Sequence, residues 1–208
     1  MNRDNAVSRR ELLKRLGMAG AAAFALPGFG RVLAFQRDML KTAISAAVLS
    51  ASEAATLAAI CARIIPSDDS GPGAAEARAA EYIDRALGGW LAPSRDAYTT
   101  GLAAINDAAR ARSGQRFVDL PPVQQDAVLE TIAETPFFAL VRAHTLQGTF
   151  CDPAYGGNAN FVGWDLIGYP GVRLNVTPAD QRMAAPAKPI RRSAYDYAMF
   201  AMGAPHAH

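Results

Sequence analysis

The side chains able to do chemistry in this chain are few, and their spacing does not assemble them. Histidine occurs three times, at His144, His206 and His208. A catalytic histidine needs a nucleophile to serve and a neighbour to orient it. His144 stands among apolar residues (Leu140, Val141) on a helical stretch, where a hydrogen-bonded core or boundary histidine is the simpler reading. His206-Ala207-His208 is a loose chain end and a weak metal ligand pair at best. Asp68 and Asp69 are adjacent, in a turn where capping and solvation account for both. No G-x-S-x-G, H-E-x-x-H, P-loop or dinucleotide fingerprint occurs. Gly156-Gly157-Asn158 is too short for a phosphate cradle. Cys61 and Cys151 are the two cysteines; there is no C-x-x-C-H for haem c and no spacing for zinc or iron–sulfur. A disulfide between them is left open, with Cys61 reading as a small hydrophobe on an apolar helix face. The residues therefore predict no catalytic, cofactor-binding or metal-binding set within this chain.

The elements that would position these groups are helical. Ser50-Ala51-Ser52-Glu53 reads as a capping box, followed by Leu57, Ile60, Cys61 and Ile64 at helical spacing and Pro66 as the stop. A second helix is expected over 74–87, with Tyr82, Ile83, Ala86 and Leu87 inward and Gly88-Gly89 ending it. A third covers about 94–113, its stripe being Tyr98, Leu102, Ile105 and Ala109, closed by Gly114. The fourth begins at Pro121-Pro122 and uses Val128, Leu129 and Ile132. Thr135-Pro136 opens a fifth that carries Phe137, Phe138, Leu140, Val141 and Thr145 to Gly148. No period-2 run exceeds four residues, so the expected fold is all-α, an irregular bundle of five or six helices. A short helix within 160–167 and a polar, proline-dotted tail over 172–208 complete it; the tail is expected to be disordered or laid along a partner.

The first 34 residues follow different rules. Ser8-Arg9-Arg10-Glu11-Leu12-Leu13-Lys14 precedes a weakly hydrophobic segment from Leu16 to Leu26, closed by Pro27-Gly28. That is the layout of a twin-arginine export signal, with Arg9 and Arg10 as its pair; an ordinary secretory signal or a basic amphipathic helix is the alternative, and the weak hydrophobicity and Arg15 favour the twin-arginine route. The segment is far below the roughly 20 residues a membrane span requires. Val32-Leu33-Ala34 offers a cut after Ala34; an uncleaved anchor is the alternative. The twin-arginine route carries folded proteins, so the expectation is assembly in the cytoplasm and work in the periplasm. Of the 21 basic and 19 acidic residues, six and two lie in 1–34, which leaves 15 basic and 17 acidic beyond it. The chain's formal charge of +2 thus belongs to the signal, and there is no basic field for nucleic acid. The expected organisation is signal 1–34, spacer 35–49, helical domain 50–171 and tail 172–208.

Residues 150–171 hold five glycines and two prolines amid tyrosine, tryptophan and phenylalanine. Such a segment can be a rigid recognition surface, since aromatic rings supply contact area at low entropic cost. On that reading the partner-contacting candidates are Asp152, Pro153, Tyr155, Gly156, Gly157, Asn158, Trp164, Pro170 and Gly171. The other reading is an Ω-like loop folded over the bundle, plugged by Trp164. Asp152-Pro153-Ala154-Tyr155-Gly156-Gly157-Asn158, then Gly163-Trp164, then Gly168-Tyr169-Pro170-Gly171, resembles the D-P-x-Y-G-G-N…G-W…G-[YF]-P-G pattern of the gluconate 2-dehydrogenase subunit 3 family. Ile65-Pro66-Ser67-Asp68-Asp69, Gly71-Pro72-Gly73-Ala74, Tyr82-Ile83-Asp84 and Phe137-Phe138 fall in the family's order, so the resemblance covers most of 50–171. Cys151 departs from it, standing where a small or polar residue is expected; a buried free thiol, a pairing with Cys61 and a pairing with a partner cysteine are the options.

The resemblance implies a small, non-catalytic subunit of a periplasmic, membrane-associated dehydrogenase oxidising sugars, sugar acids or polyols. It implies a large partner subunit that holds FAD and, in such complexes, a multihaem cytochrome c subunit that passes electrons to quinone. It also implies that the small subunit carries the twin-arginine signal to the Tat translocase and escorts the flavoprotein, aiding its maturation. The alternatives are a periplasmic binding or scaffold protein using the 150–171 loop, and a self-sufficient enzyme using His144.

Overall fold

A computed structural model describes residues 47–69, 71–182 and 187–200. Arg9, Arg10 and the rest of the expected signal lie outside these residues, as do His206 and His208.

Helix α1, Ala51–Ile64, begins at the expected capping box: Glu53 N–H donates to Ser50 Oγ at 3.3 Å, and Ser50 N–H donates to Glu53 Oε2 at 2.8 Å. Those bonds hold the Glu53 carboxyl below the usual carboxylate range, and such a cap is worth about 1 kcal/mol. Just before it, the backbone N–H groups of Val48 and Leu49 both donate to Asp84 Oδ1, at 2.9 and 2.8 Å. The chain is thereby tied to α2, Ala79–Leu87, before its first helix starts.

Helix α2 is five residues shorter than the alanine content of 74–87 predicts. Ala74 N–H donates to the Ile65 carbonyl at 2.9 Å, and Gly73 lies so close to the Ile65–Pro66 backbone that a Cβ would collide with it. Glu76 Oε2 accepts from both Ser67 Oγ and Gly73 N–H. These contacts hold 73–78 as a packed turn against the exit of α1, so tertiary contacts override helix propensity there.

Helix α3, Arg95–Ser113, ends at Gly114 with φ +74 in the left-handed region. Helix α4, Pro122–Glu130, starts on the expected proline, and α5, Pro136–Phe150, on Thr135, whose Oγ1 accepts from Phe138 N–H at 3.2 Å. A short α6, Val162–Leu166, and a single helical turn at Pro178–Gln181 follow. Among the described residues there is no strand, only an isolated bridge between Asp68 and Gly71. The fold is an all-α irregular bundle, as expected.

The inward stripes match the periodicity closely. Leu57, Ile60, Ile83, Leu87, Tyr98, Leu102, Ile105, Val128 and Val141 form one buried cluster drawn from all five long helices. Each such side chain contributes about 1.5–3 kcal/mol through removal from water. Arg63 of α1 grips Asp126 of α4 through two bonds of 2.7 Å, a half-exposed pair worth up to about 1 kcal/mol.

Candidate functional site

The chemistry-bearing side chains are engaged in holding the bundle together. His144 is 6% exposed, its ring stacked on Tyr98 and its Nδ1 2.9 Å from the Tyr98 hydroxyl. Burial lowers the imidazole below its ordinary range and pushes the Tyr98 phenol up. A neutral ring accepting the phenol proton at Nδ1 satisfies both groups. Cys61 Sγ lies 3.3 Å from Thr145 Oγ1, and burial pushes its thiol up to about 12. Both cysteines are free thiols; Cys151 is half-buried at the end of α5, its thiol likewise raised by burial. Among the described residues no three His, Cys, Asp or Glu side chains come together as a metal cluster. No described helix is long and apolar enough to cross a membrane.

The 150–171 segment folds onto the C-terminal end of α5. Asn158 is fully buried at its centre and joins three stretches of chain. Its backbone N–H donates to the Gly148 carbonyl at 2.7 Å, its Nδ2 to the Cys151 carbonyl at 2.8 Å, and its Oδ1 accepts from Gly163 N–H at 2.7 Å. Gly157 packs against the Gly148 carbonyl at a separation that leaves no room for a Cβ. Gly156 is left-handed (φ +90), with the Arg85 guanidinium lying where its side chain would stand. Trp164 is 5% exposed, rests between Phe161 and Tyr169, and donates Nε1–H to the Phe150 carbonyl at 3.1 Å. That is the plug arrangement of the Ω-like reading.

The candidate partner residues thus divide by placement. Gly157, Asn158, Trp164 and Gly171 are buried, and Asp152, Pro153, Gly156 and Pro170 are half-buried. Tyr155 is exposed. Asp152 caps Ala154 N–H and reaches the tail, accepting from Ser193 Oγ at 2.6 Å and Ala194 N–H at 2.7 Å. Pro170 accepts from Ile190 N–H at 2.7 Å, and Arg191 pairs with Asp165 at 2.6 Å. Over 190–197 the tail therefore lies against the domain's own loop, an intramolecular seat that the tail's composition does not reveal.

The tail completes a surface. Tyr195 meets Tyr155 edge-on at 5.9 Å, their hydroxyls 2.8 Å apart, and that bond raises the Tyr155 phenol. Tyr155 in turn meets Trp90 at 6.3 Å, and Trp90 meets Tyr82 at 6.0 Å. Beside this row runs an open groove of about 680 Å³, walled by Tyr82, Trp90, Leu146, Phe150, Cys151 and Tyr155. Trp90 was not among the residues the sequence singled out. Its one cue is a large ring immediately after Gly88-Gly89, where no apolar stripe demands it.

The family described as gluconate 2-dehydrogenase subunit 3 matches residues 51–171, more than half of the chain and the whole span from α1 through the loop. The chain belongs to the gluconate 2-dehydrogenase subunit 3 family. No curated protein and no solved structure matches it. A subunit 3 protein is one part of an oxidoreductase assembly, and a dehydrogenase partner follows from that membership. The match ends at Gly171, the residue whose missing side chain lets the Ile190 carbonyl of the tail approach.

Proposed function

We propose that this subunit 3 protein is the non-catalytic small subunit of a periplasmic FAD-dependent dehydrogenase acting on sugars, sugar acids or polyols. It carries the twin-arginine signal that exports the flavoprotein, and it aids that partner's maturation. The observation that carries this reading is the twin-arginine layout at Arg9 and Arg10 on a chain of a dehydrogenase-subunit family. Its own histidine, cysteines and buried amide are committed to packing and hydrogen bonds, which fits a handle better than a catalyst. FAD belongs to the large subunit, and haem c to a cytochrome subunit where the complex includes one. The small subunit reaches the membrane through its signal or through these partners.

The test replaces Arg9-Arg10 by Lys-Lys in cells that co-express a signal-less flavoprotein dehydrogenase with this chain. Periplasmic dehydrogenase activity is expected to fall to near background while cytoplasmic flavoprotein accumulates. Unchanged periplasmic activity overturns the escort role.

A further inference from the structure

Large apolar side chains are unevenly distributed over the surface. Among the described residues, helices α1–α5 expose only Val123. The other exposed large apolar residues are Trp90 and residues between Tyr155 and Phe200. Isolated exposed rings are ordinary, but a contiguous patch rimmed by polar groups marks an interaction site. Here Trp90, Tyr155 and Tyr195 are 49%, 45% and 49% exposed, in mutual edge contact, and bordered by the apolar groove. Tryptophan and tyrosine are the residues that most often carry binding energy at interface centres.

The row is built by the fold rather than left over from it. Tyr195 is held there by Asp152, which fixes Ser193 and Ala194, and Tyr155 by the turn that Asn158 and Gly157 lock to α5. Polar bonds, those of Asp152 half-buried, thus immobilise exposed rings, which lowers the entropy lost when a partner covers them.

Charge indicates what covers them. Residues 50–171 contain 14 acidic and eight basic side chains, whereas 172–208 contain two acidic and five basic. Two basic side chains of the tail lie within four residues of Tyr195: Arg191, exposed but ion-paired with Asp165, and Arg192, exposed, over the Tyr197 ring and donating to the Asp196 carbonyl. The surface is therefore apolar at its centre, with the Arg192 guanidinium, stacked over the Tyr197 ring, at its tail side.

We propose that the Trp90–Tyr155–Tyr195 row and its groove are the docking site for the dehydrogenase subunit, which inserts an apolar side chain into the groove and sets an acidic residue against Arg192. This rests on the small-subunit reading above. Apolar burial supplies the affinity, and the complementary charges supply orientation and association rate.

The experiment uses the full chain co-expressed with the flavoprotein subunit and measures affinity of the purified pair. Wild-type chain is measured first: no association at all overturns the small-subunit reading and the docking site together. Given association, Trp90→Ala is expected to weaken the Kd about 30-fold, and Arg192→Glu to slow association at low salt. Val123→Ala, on α4 and outside the groove's lining, is the control expected to leave the Kd unchanged. Thermal melting of Trp90→Ala alone, expected to stay near wild type, separates lost contact from lost folding. An unchanged Kd for Trp90→Ala overturns the docking site while sparing the small-subunit reading. So does a Trp90-dependent dimer of this chain alone, or shielding of Trp90 fluorescence by residues 201–208 that truncation after Phe200 relieves.

Discussion

Replacing Asn158 with alanine would strand the Cys151 carbonyl and the Gly163 N–H, both paired to its amide and close to the buried turn. Each buried polar group left unpaired costs roughly 1–3 kcal/mol, so the expected loss for the two is about 2–6 kcal/mol in urea denaturation. An unchanged midpoint would show that the loop repairs itself with water. Asn158 also sits at φ +45, a region asparagine tolerates better than most residues. His144 makes a different prediction. Burial lowers its imidazole below the ordinary value of 6.5, so between that value and the lowered one the unfolded chain binds the extra proton. Stability is therefore full above about pH 6.5 and falls as pH drops through that window. Melting temperatures should decline on acidification, and His144→Asn, whose amide oxygen takes the Nδ1 place, should flatten the decline. An identical slope in the variant would assign it to other groups.

Among elements, the junction between loop and tail is held by polar bonds rather than by a large core. Asp152 is its pivot, with two bonds to Ser193 and Ala194 and one to Ala154. Asp152→Ala should release 190–197 while α1–α5 stay folded, because the buried cluster does not include the tail. Trypsin then cuts faster after Arg191 or Arg192, by about tenfold if the junction loses roughly 1.4 kcal/mol. Melting temperature should move little. A cleavage rate equal to wild type would mean that Ile190, Arg191 and Tyr195 hold the tail without Asp152. The five long helices were legible because their stripes repeat at 3.6 residues and their caps are local, as Ser50–Glu53 and Thr135 show. The start of α2 was not, since the turn at 73–78 depends on Ile65 and Pro66, which no pattern within 74–87 records.

For the whole molecule, the export prediction depends on folding before transport. On the proposed route, a helical domain that closes its own core is folded, and holds its partner, before Arg9 and Arg10 are read. The Lys-Lys variant should then retain both subunits in the cytoplasm in the same ratio, detected by quantitative immunoblotting. Loss of this chain alone would show that the two travel separately. On the proposed docking, the uneven charge, with 14 acidic and eight basic residues over 50–171 against two and five over 172–208, orients the molecule toward its partner. By itself the sequence determined the all-α class, most helix limits, the inward stripes and the family, because periodicity, caps and motif spacing are properties of neighbouring residues. Only the tertiary structure decided that Asn158 and Trp164 face inward, that the tail lies on Asp152, and that Trp90 stands beside Tyr155. Those contacts join residues 7 to 65 positions apart, where burial and approach are set by packing and leave no local trace.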